Sequence, residues 1–331
     1  MAEITAKMVM ELRERTGVPM MKCKAALTET DGDFDAAVKK LREQGEKTGA
    51  ERSARTASEG VVAIVLVDNQ DAAIVELNSE TDFVARNDEF RALATELANQ
   101  VIQSKGHSVE TVLTQDSMAQ AGQTVQGRIT DVYNKLRENI VFRRFELIST
   151  DANGSLAVYL HKPANDKIGV LVELEASSPE AAKSDALKAF GKELAMQIAG
   201  SRPKYLTEED VPASVLEQER EISLNKAKNE IATELEEALA KATDDKAREQ
   251  AESKAKNKEA AFPKIADGAV RKYKEGYVLL NQPWLREPKK SVAQAVKEAG
   301  EGISIKRFVR YEVGEGVTGV ETSGAIKETV E

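Results

Sequence analysis

A unit of strand, strand and helix is written twice along this chain of 331 residues, and that duplication limits the fold more than any other feature. A shift of 97 positions lays Glu76-Leu77 on Glu173-Leu174 and Glu96-Leu97 on Glu193-Leu194. The same shift pairs Phe90 with Leu187, Leu93 with Phe190 and Val101 with Ile198. GVVAIVL (60–66) matches GSLAVYL (154–160) at a shift of 94, so the loop HKPANDK of the second copy is about three residues longer. One register held through strand and helix predicts an α+β fold. Two related subdomains are expected, each a small antiparallel sheet with helices on one face.

Within the first copy, VVAIVLV (61–67) and AAIVEL (72–77) flank Asp68, Asn69, Gln70 and Asp71 and read as a β-hairpin. Phe90, Leu93, Ala94, Leu97 and Val101 then form a one-sided helical stripe. A further helix carrying Val125, Ile129, Val132 and Leu136 leads to the strand IVFRRFELI (140–148). ISIKRFVRYEV (303–313) has the same pattern and is expected to complete the second sheet. These readings place one subdomain at 60–150 and the other at 151–331.

Ahead of the repeat, residues 1–45 read as three short helices. Met8, Val9 and Leu12 share a face, Gly17 stops the first helix, and Pro19 precedes a second over Met20–Thr28. Asp33 is a fitting N-cap for a third, with Phe34, Ala37, Val38 and Leu41 at helical spacing. So small a bundle has a thin core and suits docking better than catalysis. Residues 46–59 are rich in small and charged types and read as a linker. Beyond the second copy, Pro203 and Pro212 bracket TEED (207–210), a capping-box sequence expected to open a helical turn. Between Val215 and Ala261 there is neither Gly nor Pro, and Glu, Lys and Ala dominate. Ile231, Leu235 and Leu239 line one arm and Ala247, Ala251 and Ala255 another, with ATDD (242–245) at the tip and Pro263 ending or kinking the return. An antiparallel coiled-coil hairpin inserted at about 213–275 is the reading, with a single solvated helix as the alternative.

Composition narrows the function. A net charge of −9 argues against direct nucleic-acid binding, which draws on a basic face. One cysteine, Cys23, excludes an internal disulfide, and with only His107 and His161 beside it no Cys/His zinc site can be assembled. The first residues lack the apolar stretch of a signal peptide, and no run approaches the ~18 apolar residues of a membrane span. A cytoplasmic protein without a membrane anchor is expected. GEGVTG (314–319) spells the dinucleotide fingerprint, but the helix and distal acid it requires are not in the sequence that follows. There is no G-x-x-x-x-G-K-[ST] loop, and Cys23 has no His or Asp near it in sequence. The chain therefore reads as a binding protein without cofactor or metal, not an enzyme.

SETDFVARND (79–88) is the segment in which the copies part: the second has SSPEAAKS, with neither the Asp nor the Phe. From pattern alone, Phe83, Asn87, Phe90, Ala94 and Leu97 fit one helical stripe, and a core role for Phe83 is the favoured reading. The other reading presents Asp82 and Phe83 outward.

ELRERTG (11–17), MMKCKAAL (20–27), TDFVARN (81–87), ENIVFRRFE (138–146) and RYEVGEG (310–316), in this order, resemble the elongation factor Ts family over essentially the whole chain. The resemblance implies a bundle like a ubiquitin-associated domain, a core of two related subdomains and an inserted coiled coil. It implies a guanine-nucleotide exchange factor that binds elongation factor Tu and expels GDP by disturbing its Mg²⁺ and phosphate site. Thr81, Asp82, Phe83 and Val84 match the intruding segment. Arg13, Val18, Met20 and Met21 match the bundle surface that meets the partner's GTPase domain, although methionines at helix starts also serve as core filling. His161 matches a histidine facing the partner's far domain, with a plain surface-turn histidine as the equal alternative. A homodimer or a 2:2 complex is compatible with this reading. The rival function is a scaffold or chaperone-like adaptor that docks through bundle and coiled coil without affecting nucleotide.

Overall fold

The computed structural model describes residues 4–16, 18–43 and 57–316. Gly17 and most of the expected linker, residues 46–56, lie outside the described residues.

Three helices open the chain: α1 (Ala6–Thr16), α2 (Met20–Glu29) and α3 (Phe34–Glu43). Asp33 caps α3 as its sequence predicts, its Oδ1 accepting from the amides of Asp35 and Ala36 at 2.9 and 3.0 Å. Val9, Leu12, Val18, Cys23, Ala26, Leu27, Ala37 and Leu41 form the buried core of this bundle. Cys23 donates to the carbonyl of Val18 at 3.2 Å, and burial pushes its thiol pKa up.

Next comes a three-stranded antiparallel sheet ordered β1 (Glu59–Val67), β2 (Asp71–Ser79), β3 (Val141–Ser149). Between β2 and β3 run the single turn α4 (Asp82–Ala85) and the helices α5 (Asp88–Ser104), α6 (Val109–Thr114) and α7 (Val125–Leu136). The α5 stripe is buried as its spacing predicts, Phe90, Leu93, Ala94, Leu97 and Val101 closing over β1 and β2. A second sheet, ordered β4 (Gly154–Leu160), β5 (Ile168–Glu175), β8 (Ser304–Glu312), repeats the design. After β5 come the turn α8 (Pro179–Ala182) and α9 (Asp185–Ser201), which like α5 has 17 residues. By contacts the chain divides into two compact units. One is the chain up to Ser149 with Val158–Leu171 and the described residues from Tyr311; the other is Thr150–Ala157 with Val172–Arg310.

The second unit carries the expected hairpin, so the single-helix alternative falls. Its arms are α10 (Ala213–Lys241) and the pair α11 (Asp245–Glu259) and α12 (Phe262–Tyr277), both packed on α10. Ile231, Leu235, Leu239, Ala247, Ala251 and Ala255 are half-buried along the seam while most residues around them are exposed. Asp244 caps α11 at the tip, and Pro263 sits in the first turn of α12, where a missing amide hydrogen costs nothing. TEED forms a turn: Asp210 accepts from the Thr207 amide and hydroxyl at 2.8 and 3.0 Å, and the Val211 amide donates to the Glu208 carbonyl at 3.2 Å. The following helix begins at Ala213. The ribbon β6 (Pro283–Trp284) and β7 (Glu287–Ser291) and the helix α13 (Val292–Ala299), opened by a capping box on Ser291, complete this unit.

In the first unit a fully buried carboxylate ties the sheet to the chain's last described residues. A β-bulge opposite Glu76-Leu77 leaves Arg143 unpaired in the ladder, so Arg143 and its neighbour Arg144 both reach Glu76, at 2.8 and 2.6 Å. Glu76 also accepts from Asn78 and from the amide of Gly314, and Arg144 lies 4.1 Å over the Tyr311 ring. Gly314 is at φ +80° with room for no side chain, since a Cβ would meet the Ser58 carbonyl at 2.8 Å. The glycine of GEGVTG thus gives its amide to a carboxylate inside the protein; residues 317–319 lie outside the described residues. Removing this acid takes away the fully buried carboxylate shared by two half-buried guanidiniums, leaving Arg144 the longer pair with Glu315 at 3.8 Å, so Glu76→Ala is expected to lower stability by ~3 kcal/mol in urea unfolding. A loss below ~0.5 kcal/mol would show that the ion cluster is dispensable.

Candidate protein-docking site

Between β2 and α5 the chain makes one isolated helical turn instead of running straight into the long helix. Two caps impose this. Thr81 Oγ1 accepts from the Val84 amide at 3.4 Å, opening α4. Asn87 Oδ1 then accepts from the amides of Glu89 and Phe90 at 2.9 and 3.4 Å, opening α5. Because Asn87 is in extended backbone, α4 and α5 are separate helices and their faces are out of register. The consequence overturns the pattern-based reading. Phe90 is fully buried, whereas Phe83 is 80% exposed, more than any other large apolar side chain among the described residues.

The four candidate residues of the turn divide by direction. Asp82 and Phe83 face outward, Asp82 paired with Arg86 at 2.7 Å across one turn. Val84 does not belong to the exposed surface: it is buried with Ala85 in the core formed by the sheet and α5, and it anchors the turn. Thr81 is half-buried and held from outside its own segment by Glu138, whose Oε1 accepts from the hydroxyl at 2.6 Å and Oε2 from the amide at 3.0 Å. Glu138 stood in the ENIVFRRFE motif without a role; nothing in its local sequence announces a partner 57 residues away.

In the bundle, Arg13 is exposed, as are Met20 and Met21, the latter at 77%. These methionines are therefore not core filling. Val18 is the exception among the bundle candidates, fully buried in the three-helix core, so it supports the surface from beneath. Met10, which the sequence reading passed over, is also exposed on α1. His161 is half-buried at the entry to the 3₁₀ turn Lys162–Ala164 of the β4–β5 loop, its Nδ1 2.8 Å from the Tyr159 hydroxyl. Its amide closes the loop on the Ile168 carbonyl at 2.9 Å, and Asp166 pairs with Arg91 of α5.

Residues 80–315 match the family described as Elongation factor TS. A relative named elongation factor Ts from Symbiobacterium thermophilum is 41% identical, over 96% of this chain and 94% of its own. Others of that name, from Clostridium botulinum and Thermobifida fusca, are 38% and 39% identical over 97% and 95% of this chain. The chain belongs to the elongation factor Ts family. Its function is accordingly that of a non-catalytic nucleotide-exchange factor for elongation factor Tu in translation elongation. No helix among the described residues is long and apolar enough to cross a membrane.

An exposed ring contributes nothing to the fold that displays it. Phe83→Ala is expected to leave the urea midpoint within ~0.5 kcal/mol of wild type. A loss of ~3 kcal/mol, the cost of truncating a core phenylalanine, would place the ring inside.

Proposed function

We propose that Asp82 and Phe83 are the element this chain drives into elongation factor Tu to release GDP, with the bundle as a second hold. The observation that carries the reading is the 80% exposure of Phe83 on a doubly capped turn, at the position where the second copy of the unit has Glu180. The scaffold tolerates a charged residue there, so the aromatic ring is not a requirement of folding.

The chemistry it acts on belongs to the partner. Mg²⁺ beside a bound nucleotide demands near-octahedral geometry at ~2.0–2.1 Å, so a small shift of the helices that support it weakens the site. A ring wedged between those helices makes such a shift, and burying it is worth about 1.5–3 kcal/mol. Weakening GDP ten-thousandfold takes ~5.5 kcal/mol of differential contact, more than one ring supplies. Further contacts are needed. His161 on the β4–β5 loop is a candidate for them, while Arg13, Met20 and Met21 on the bundle hold the partner throughout. Methionine suits this task because its flexible thioether adapts to a partner's contours. By linkage, nucleotide must weaken the factor's grip by the same ratio, which lets incoming GTP release it.

Stopped-flow release of a fluorescent GDP analogue from elongation factor Tu tests the assignment. Phe83→Ala is expected to lower the maximal release rate by about tenfold or more. Met21→Ala is expected mainly to raise the half-saturating concentration, since it removes a contact made before and after nucleotide leaves. Wild-type release by Phe83→Ala would contradict the wedge.

A further inference from the structure

Thr81 needs only its own hydroxyl to open α4, yet its bonding goes well beyond that. The Glu138 carboxylate grips it twice, at the hydroxyl (2.6 Å) and at the amide (3.0 Å). The neighbouring residues return the grip: Glu80 Oε1 accepts from the Asn139 amide at 2.8 Å. Two segments far apart in sequence are thus strapped together by two acids, each holding the other segment's backbone. Arg137 makes the geometry, closing α7 in the left-handed region at φ +64° and turning the chain toward the strap. Charge-assisted bonds of this kind are about twice as strong as neutral ones.

The second copy of the unit shows that the turn itself does not require such a strap. There Ser178 caps α8 through the Ala181 amide as Thr81 caps α4, but Ser177 stands in place of Glu80. Glu301 precedes β8 by the same three residues that separate Glu138 from β3, and it is exposed whereas Glu138 is half-buried. The strap occurs where the turn carries Asp82 and Phe83; the turn with Pro179 and Glu180 goes without Glu80's share of it.

We infer that Glu138, assisted by Glu80, latches the Asp82–Phe83 turn against recoil, which makes it a positioning residue for nucleotide release. The inference rests on the wedge reading given above. A ring pressed between two helices displaces them only if its own backbone does not yield. The latch therefore acts on the release step more than on encounter.

The test uses full-length Glu138→Ala and Phe83→Ala, singly and combined, against elongation factor Tu loaded with a fluorescent GDP analogue. Maximal rate and half-saturating concentration are read separately. Glu138→Ala is expected to lower the maximal rate about tenfold and to move the half-saturating concentration by less than about twofold. Combined with Phe83→Ala it is expected to cost less than about twofold more, because it acts through the ring already removed. Multiplying losses in the double variant, or a raised half-saturating concentration at an unchanged maximal rate, would overturn the latch. Should Glu138→Ala melt below the assay temperature, Glu138→Gln carries the same test with an intermediate loss, since it keeps one acceptor oxygen. If Phe83→Ala releases nucleotide like wild type, the wedge falls and the latch with it. If Phe83→Ala is slow and Glu138→Ala is fast, the latch alone falls.

Discussion

The Asn87 side chain accepts from the amides of Glu89 and Phe90 and so starts the helix that packs on the first sheet. From that start, Phe90 is carried into the core and the preceding turn is left to point its own residues elsewhere. Val84 and Ala85 go inward and fasten the turn, while Asp82 and Phe83 go out. Two phenylalanines seven positions apart thus do opposite work. Phe90 contributes apolar burial to stability, and Phe83 keeps its apolar area in reserve for a partner.

The duplication explains how such a tip is afforded. Both copies share the strand ladder, the capped turn and a 17-residue helix ending in a left-handed residue, Lys105 in one and Arg202 in the other. They even share a cross-strand ion pair: Glu76 with Arg144 in the first, Glu173 with Arg307 at 2.8 Å in the second. Around that common frame the first copy adds Arg143, the Gly314 amide and the Glu138 strap. A scaffold secured on both sides of the turn can hold an exposed aromatic residue in one place.

Much of this was legible in the sequence because it depends on local pattern. The repeat, the α5 stripe, the Asp33 cap, the Ala-rich hairpin and the break in its return arm near Pro263 all follow from spacing and propensity, and all are found. What spacing could not deliver was direction across a break. Phe83 fits the stripe of Phe90 only if the helix is continuous, and a single Asn side chain decides that it is not. Val84 and Val18 match family surface segments by sequence but are buried, since the neighbours of an exposed residue on a short turn commonly face the core. Glu138 was invisible for another reason: its partner is brought to it only by tertiary folding.

A photo-reactive benzoylphenylalanine placed at position 83 tests the central claim most directly, with the cross-linked peptide of nucleotide-free elongation factor Tu mapped by mass spectrometry. The account predicts attachment to a helix of the partner's GTPase domain beside its Mg²⁺ and phosphate site, suppressed when GDP is in excess. A complex that forms normally but cross-links elsewhere, or not at all, would contradict it.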